Sequence, residues 1–409
     1  MKEKPTYQNY IAVSVILTLV GIAIALGQFK IPSIMPAIME RFHMDLGAAS
    51  MLMSVFTLAG IFLSLPTGFL ARRFGCKNMV MLAVVIMALG TMVGLFATSG
   101  SMLIVSRAIE GVALVFCSVS APLVVRKYVR PDKLGFASGV WSLWFSLGSF
   151  FGGVLTPILY ERIGFQGTWL AFAGIVVALG LVLFFFLKPF SGRFFEKVSA
   201  AVEEKVDAEA EALVEEAKPV MRSLFSRNVV LVLLGFLSFN IVLISFLSFS
   251  PTFLQGEGMS PTLAGFASTL PMLIAIISSP LFGVIADKAK RYKLLMVLSM
   301  AVLGPCGFVL LTNSGPLLWV AACLLGVIGL GAPPMYLILY PAVVPDKRLM
   351  PVAMGLLVMT QSLGQFLGTL AMPAVLEFGW TAAGLLALIV GIAGTVLLGF
   401  IKTDRIQHT

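Results

Sequence analysis

About a dozen long apolar runs, each close to the length of one bilayer crossing, dominate this chain of 409 residues. A hydrocarbon core of ~30 Å takes roughly 20 apolar residues per helical crossing, because in lipid every backbone polar group must be bonded within its own segment. Only 11% of the residues are charged and the mean hydropathy is +1.02, whereas soluble domains carry roughly 25% charged residues. The sequence therefore predicts an all-α membrane protein.

The Lys and Arg residues decide the orientation of these crossings. We place them at residues 10–36, 46–70, 78–98, 101–125, 134–159, 168–187, 229–254, 261–286, 293–312, 316–341, 351–376 and 380–401. With the N-terminus inside, the short inner gaps hold thirteen Lys and Arg residues and the outer gaps hold Arg41 and Arg162. The positive-inside rule then puts both termini in the cytoplasm, in the cell (inner or plasma) membrane. The net charge of +9 comes from Lys and Arg residues in the short gaps, where they set the orientation of the crossings. We therefore expect no nucleic-acid partner.

A basic hairpin shows that the chain is duplicated. Gly68–Lys77 reads GFLARRFGCK, and 215 residues after Gly68 a similar stretch, GVIADKAKRYK, begins at Gly283. Pro36 and Pro251 share this spacing. Six crossings per copy is an even number, so the two copies share one orientation and enclose a cavity between them. We expect 12 transmembrane helices in two six-helix pseudo-symmetric bundles.

Three segments follow from this repeat. Residues 1–188 form the N-terminal six-helix bundle, and residues 229–409 form the C-terminal one. Residues 189–228 are polar and rich in acids, and the spacing of their valines predicts an amphipathic helix on the cytoplasmic surface. A plain linker and a regulatory or partner-docking segment both remain open.

The rare residue types argue against metal and enzyme chemistry. The four cysteines are scattered with no Cys-x-x-Cys pair, and the two histidines have no metal-ligand company. No two acids, histidines or cysteines converge within the apolar runs, and no nucleotide-binding motif is present. We expect no metal, no cofactor and no enzymatic activity.

The duplicated hairpin resembles a motif of the major facilitator superfamily, Gly-x-x-x-Asp-Arg-x-Gly-Arg-Lys. Gly68, Arg73, Gly75 and Lys77 match it, while Arg72 stands at the acidic position. The second copy keeps Gly283, Asp287 and Lys288. The resemblance implies the major facilitator fold and a conformational latch at these residues. A basic turn that only holds the chain inside is the alternative.

Crossing 4 supplies a second match to the family. Arg107, Glu110 and Gly111 fit its Arg-x-x-Gln/Glu-Gly pattern, and a spacing of three puts Arg107 and Glu110 on one helix face. Charges in the hydrocarbon core cost several kcal/mol by most estimates, so such residues are functional candidates. We expect Arg107 to bind substrate and Glu110 to couple protons. Snorkelling of Arg107 and a mere counter-ion role for Glu110 are the alternatives.

Lys30 is a third charge inside an apolar run, some twenty residues into crossing 1. Together with Arg107 it sets two cations against the one acid, Glu110, which favours an anionic, carboxylate-like substrate. The resemblance to organic-anion members of the family supports cations on crossings 1 and 4, although Gln28 occupies the register in which those relatives carry an arginine. Snorkelling of Lys30 to the outer headgroups is the competing interpretation.

Uncharged side chains complete the predicted lining. They are Asn240 in crossing 7, Gln361 and Gln365 in crossing 11, and Trp141 and Trp144 in crossing 5. Polar residues between membrane helices can equally serve as glue between the helices.

Two further groups have structural interpretations. Trp169, Trp319 and Trp380 fall at predicted outer ends and are interpreted as interfacial anchors. Glycines at small-xxx-small spacing predict close packing between the halves. These glycines are Gly148, Gly152, Gly153, Gly364 and Gly368.

The leading hypothesis is a secondary active transporter that moves a small anionic solute by alternating access, coupled to protons. It acts as a monomer, with the lipid bilayer, the solute and protons as its partners. One alternative is a proton-coupled exporter of drugs or other amphipathic compounds, which Arg107, Glu110 and the glycines also fit. Another is a membrane receptor without transport.

Overall fold

The computed structural model describes residues 8–187, 225–289, 291–344 and 350–401. The predicted amphipathic helix of the linker lies outside these residues, and the division at 188 and 229 stays a prediction.

The helices follow the predicted crossings in order. They are Tyr10–Phe29 and Met35–Phe42 (crossing 1), Leu46–Phe74 (2), Cys76–Leu95 (3), Gly100–Tyr128 (4), Leu134–Phe186 (5 and 6), Arg227–Gly256 (7), Pro261–Ala289 (8), Tyr292–Thr312 (9), Pro316–Val327 and Ala332–Val343 (10), Met350–Leu376 (11) and Trp380–Gly399 (12). Ten helical stretches of the described chain are long and apolar enough to cross a membrane. One of them covers two crossings, and crossing 10 is built from two shorter helices. The predicted all-α fold is confirmed.

Glycine and proline explain where the helices depart from the simple plan. Gly164, with φ 66° and ψ −173°, separates crossings 5 and 6 inside an otherwise continuous helical stretch. A positive φ is easily reached only by a residue without a Cβ, so this tight reversal requires glycine. In crossing 1 the helix ends at Phe29 and resumes at Met35 after a 3₁₀ turn that begins at Pro32.

The predicted packing of glycines between the halves is mostly wrong. Gly148 and Gly152 lie against Ala25 and Phe29 of crossing 1, within the N-terminal half. Gly364 and Gly368 lie against Asn240 and Ile241 of crossing 7, within the C-terminal half. Gly153 alone of the five approaches the other half, at Gly265 and Thr269 of crossing 8. Small residues allow close approach wherever two helices meet, so their spacing does not identify the partner.

Three hydrogen bonds between described side chains and their partners join the two halves. Gln255 Nε2 donates to Ser33 O at 3.0 Å, Ser54 Oγ donates to Thr369 Oγ1 at 2.8 Å, and Gln28 Nε2 donates to Gln365 Oε1 at 3.3 Å. All three lie toward the ends of their crossings that the sequence places outside.

Gly111 offers a stability prediction. A Cβ at this position would lie 2.2 Å from the backbone oxygen of Phe56, which cannot move without shifting crossing 2. We expect Gly111→Ala to lower the unfolding free energy by about 1–3 kcal/mol through overpacking, measured as a fall in melting temperature in detergent. Gly174→Ala is the matched control, because no neighbour lies within 4 Å of its Cβ position. Equal melting temperatures for the two variants would contradict this packing.

Candidate functional site

Three fully buried charges meet between crossings 1 and 4. Lys30 Nζ lies 2.5 Å from Glu110 Oε1, and Arg107 Nη1 lies 2.5 Å from Glu110 Oε2. All three side chains have 0% exposure. Lys30 and Glu110 are 80 residues apart in sequence and meet only because crossings 1 and 4 pack together. Lys30 does not snorkel to the headgroups in this structure, and neither does Arg107. We call these three residues the charge triad.

Arg107 is held by backbone oxygens as well as by Glu110. Its Nε donates to Leu52 O at 2.9 Å, its Nη1 to Gly27 O at 2.6 Å and its Nη2 to Gln28 O at 3.2 Å. The carbonyls of crossing 1 are free to accept because the helix ends at Phe29 and Pro32 has no N–H to bond the oxygen four residues earlier. One guanidinium therefore ties crossing 4 to crossing 2 and to the break in crossing 1.

Two neighbours that the sequence did not predict for this site, Thr91 and Trp169, complete the surroundings of Glu110 and Lys30. Thr91 of crossing 3 donates its hydroxyl to Glu110 Oε1 at 2.7 Å. The ring of Trp169 in crossing 6 lies 4.9 Å from Lys30 Nζ. Trp169 has 0% exposure, so its interpretation as an interfacial anchor is wrong; its indole faces the charge triad and not the headgroups.

The electrostatics of the charge triad follow from its count of charges. Two cations share one carboxylate, so the group carries a net charge of +1 when all three are ionised. Burying ions costs several kcal/mol each unless partners compensate, and breaking a buried pair costs more than removing it entirely. Lys30 depends most on Glu110, because Arg107 also has carbonyl acceptors.

Gln28 extends this site to the boundary between the halves. Its amide nitrogen bonds Gln365 of crossing 11, while its Oε1 is buried without a hydrogen-bond partner. Gln361, one helical turn before Gln365, is partly buried. These positions bring two of the predicted contact residues together across the interface.

The other predicted contact residues have different neighbours. Asn240 donates to Phe236 O of its own helix at 2.8 Å. The rings of Trp141 and Trp144 stack at 5.4 Å, and the Trp141 ring and the Trp144 Cβ lie against Gly21 of crossing 1. The role of each as a substrate contact stays a prediction.

The basic hairpin is tied to crossing 6. Gly75 has φ 84° and makes the turn between crossings 2 and 3, and Lys77 Nζ donates to Leu187 O. Arg73 and Lys288 are exposed, and Gly68 and Gly283 have no neighbour within 4 Å of their Cβ positions. The side chains of Arg72 and Asp287 lie outside the described part of the structure, so the latch stays a prediction.

The C-terminal half lacks an equivalent of the charge triad. The positions 215 residues after Lys30, Arg107 and Glu110 are Ser245, Ala322 and Leu325, and all three are buried. Ser245 Oγ donates to Gly368 O at 3.2 Å within its own half. Among the described residues, the duplicated fold thus carries a buried charged centre in the N-terminal half and none at the equivalent positions of the other half.

Comparison with known proteins identifies the family. The family model described as Major Facilitator Superfamily matches residues 17–369 and, in a second match, residues 256–408. An arabinose-proton symporter of Escherichia coli is 29% identical over 178 residues, which are 44% of this chain and 37% of that protein. A probable nitrate transporter of Staphylococcus epidermidis is 27% identical over 157 residues, which are 38% of this chain and 40% of that protein. The chain thus matches about two fifths of the length of these relatives.

Solved structures agree with this family. A D-xylose-proton symporter superposes with a TM-score of 0.70 at 15% identity, covering 94% of this chain and 97% of the other. A peptide transporter in complex with sulfate superposes with a TM-score of 0.71 at 14% identity, covering 95% of this chain and 94% of the other. At these identities the likeness shows the fold alone.

Proposed function

Because this chain belongs to the Major Facilitator Superfamily, it is a multi-span membrane transporter and not an enzyme, and we propose that it moves a small anionic solute together with protons by alternating access. A carboxylate-like solute fits best. One chain contains both halves, so we propose that a monomer is the working unit, with both termini in the cytoplasm of a cell (inner or plasma) membrane.

The single observation that carries this proposal is the carboxylate of Glu110 shared by two buried cations. Protonation of Glu110 raises the net charge of the charge triad from +1 to +2. A solute anion then replaces the lost negative charge, so proton and anion bind more tightly together than either does alone. Because Arg107 is held by three backbone oxygens, Lys30 is the cation released to meet the anion.

Coupling of this kind requires access from both sides of the membrane. Rocking one half against the other around a midplane site is the usual motion of such duplicated folds. The hydrogen bonds of Ser33 with Gln255 and of Ser54 with Thr369 lie toward the predicted outer ends and would open in an outward-facing state. Gln28 and Gln365 lie between them and the charge triad, where breakage would expose two amides to the solute.

The relatives support two substrate classes. The probable nitrate transporter supports an anion, whereas the arabinose-proton symporter supports a neutral sugar moved with protons. A neutral sugar does not require the excess positive charge of Lys30 and Arg107. We therefore favour the anion and keep sugar-proton symport as the second candidate.

Uptake into proteoliposomes tests the proposal. We expect radiolabelled carboxylates or nitrate to accumulate when the pH is lower outside, and Lys30→Met to abolish accumulation while preserving the Arg107–Glu110 ion pair. Sugars, dyes and a solute-free control are run in parallel. Accumulation of a sugar but of no anion would contradict anion transport and support the second candidate, sugar-proton symport. Dye efflux alone would favour the exporter, and no movement of any solute would favour a receptor.

Cross-linking tests the alternating access of the two halves. We expect the pair Ser54→Cys and Thr369→Cys, in a chain with its four native cysteines replaced, to form a disulfide, because the two native hydroxyls are only 2.8 Å apart. Oxidation should stop transport, and a reducing agent should restore it. The matched control is Ser250→Cys with Ser268→Cys, whose hydroxyls lie 3.2 Å apart within the C-terminal half. Full transport with the first pair oxidised would contradict the rocking motion.

A further inference from the structure

A pocket with a volume of about 530 Å³ opens at the end of the N-terminal half where crossing 1 finishes. None of the three residues of the charge triad lines it. Its lining residues are Arg41, Phe42, Phe96, Ala97, Thr98 and Gln166. Arg41 is one of two Lys and Arg residues in the predicted outer gaps, where the topology rule favours few cations.

The guanidinium of Arg41 is positioned by aromatic rings and not by an acid. It lies 4.7 Å from the centre of the Phe165 ring and 5.7 Å from that of Phe42. The ion pairs of the described residues involve other side chains, so no carboxylate in that part of the chain pairs with Arg41. Stacking on a ring uses the flat face of a guanidinium and leaves its N–H edge for a ligand.

Two further polar side chains line the same pocket. The Gln166 amide and the Thr98 hydroxyl are exposed at the pocket. Three donors of different geometry at one concave surface match the several oxygen atoms of a carboxylate, phosphate or sulfate, and an arginine fork suits such planar or tetrahedral oxyanions in particular.

Aromatic rings connect this pocket to the charge triad. The ring of Phe165, under Arg41, stacks on Trp169 with centroids 4.1 Å apart and planes at 30°. Trp169 in turn lies 4.9 Å from Lys30 Nζ. The indole N–H of Trp169 is buried without a hydrogen-bond partner. Two contacting rings therefore link Arg41 to the surroundings of the buried lysine.

From these contacts we propose that the Arg41 pocket is a second, peripheral anion-binding site, and that its occupancy is sensed at Trp169. Its ligand is a small carboxylate or oxyanion, either free in solution or carried by the phosphate headgroup of a lipid. The proposal does not depend on the solute transported, because it concerns binding at a surface pocket that lies outside the charge triad.

Binding measurements on the full-length protein in neutral detergent test this site. Intrinsic tryptophan fluorescence and calorimetry are followed during titration with sodium phosphate, sodium acetate and a short-chain phosphatidate, at constant ionic strength set with sodium chloride. We expect saturable binding in the wild type and a loss of affinity of roughly tenfold or more in Arg41→Gln, the size expected for a lost hydrogen bond to a charged group. Trp169→Phe should remove the fluorescence change and keep the heat of binding.

Arg162→Gln is the matched control, since it removes the other arginine of the outer gaps, which does not line the pocket. It should bind anions as the wild type does. Binding of phosphate or acetate supports a site for free anions, and binding of phosphatidate alone supports a site for lipid headgroups. Absence of saturable binding with all three probes would overturn the proposal. So would unchanged affinity in Arg41→Gln, or an equal loss in Arg162→Gln, which would indicate general charge attraction.

The binding measurement distinguishes a failure of this site from a failure of the proposed transport function. Binding by Arg41 is measured without a membrane gradient, so a protein that transports no anion can still pass the test. A protein that transports anions can equally fail it.

Discussion

Replacing Glu110 by glutamine is expected to abolish proton-driven accumulation of solute and to destabilise the protein more than replacing Lys30 does. Glutamine keeps the shape of the side chain and removes the charge, which leaves Lys30 and Arg107 buried with a net charge of +2. Removing one partner of a buried ion pair costs about 3–5 kcal/mol. Lys30→Met leaves the Arg107–Glu110 pair intact and should cost much less.

The double variant makes this prediction sharper. Lys30→Met with Glu110→Gln restores the net charge of +1 and retains the carbonyl partners of Arg107. We expect melting temperatures in detergent to follow the order Lys30→Met, then the double variant, then Glu110→Gln as the lowest. The double variant should still fail to accumulate solute under a pH gradient. A double variant no more stable than Glu110→Gln would show that charge balance does not govern this site.

The second large effect is expected for Arg107→Lys, although the charge is conserved. Arginine uses three nitrogen atoms: Nε bonds Leu52 O, Nη2 bonds Gln28 O, and Nη1 bonds both Gly27 O and the Glu110 carboxylate. Lysine has one nitrogen and cannot reach three helices at once, so buried carbonyls lose their donors at about 1–3 kcal/mol each. We expect transport to fall to background and the melting temperature to drop by more than that of Gly111→Ala.

Arg130→Lys is the control for this substitution. Arg130 forms an exposed pair with Asp132 at 3.1 Å, and surface pairs contribute about 0–1 kcal/mol. Its stability and transport should match the wild type. Near-normal transport by Arg107→Lys would show that the positive charge alone suffices and that the ties to crossings 1 and 2 are dispensable.

The fold was accessible from the sequence because its determinants are local. The length of each apolar run and the charge of each gap are properties of short stretches of chain, and the 215-residue repeat follows from comparing two such stretches. Together they predict the twelve crossings. Glycine spacing did not predict which helices pack against each other. It indicated close approach but not the neighbour, so Gly148 and Gly364 were assigned to the wrong interface.

The charge triad was only partly accessible. Burial within an apolar run identified Lys30, Arg107 and Glu110 one by one, and the shortage of acids suggested that they belong together. The contacts of Arg107 with backbone oxygens depend on how crossing 1 breaks before Pro32, which no charge pattern reports. Trp169 was assigned from its position near a helix end, and its true neighbour, Lys30, lies more than a hundred residues earlier in the chain.

The counterparts of the charge triad in the C-terminal half are uncharged: Ser245, Ala322 and Leu325. The group that we propose binds the anion therefore belongs to one half, although the scaffold is duplicated. Because the buried ions of the described residues all lie on one bundle, exchanging crossings 7–12 for those of another family member would leave the charge chemistry of the chimera in place. Such a swap would change the gating motion and the neutral contacts of crossings 7–12, Gln365 among them, while the charge triad stays unchanged.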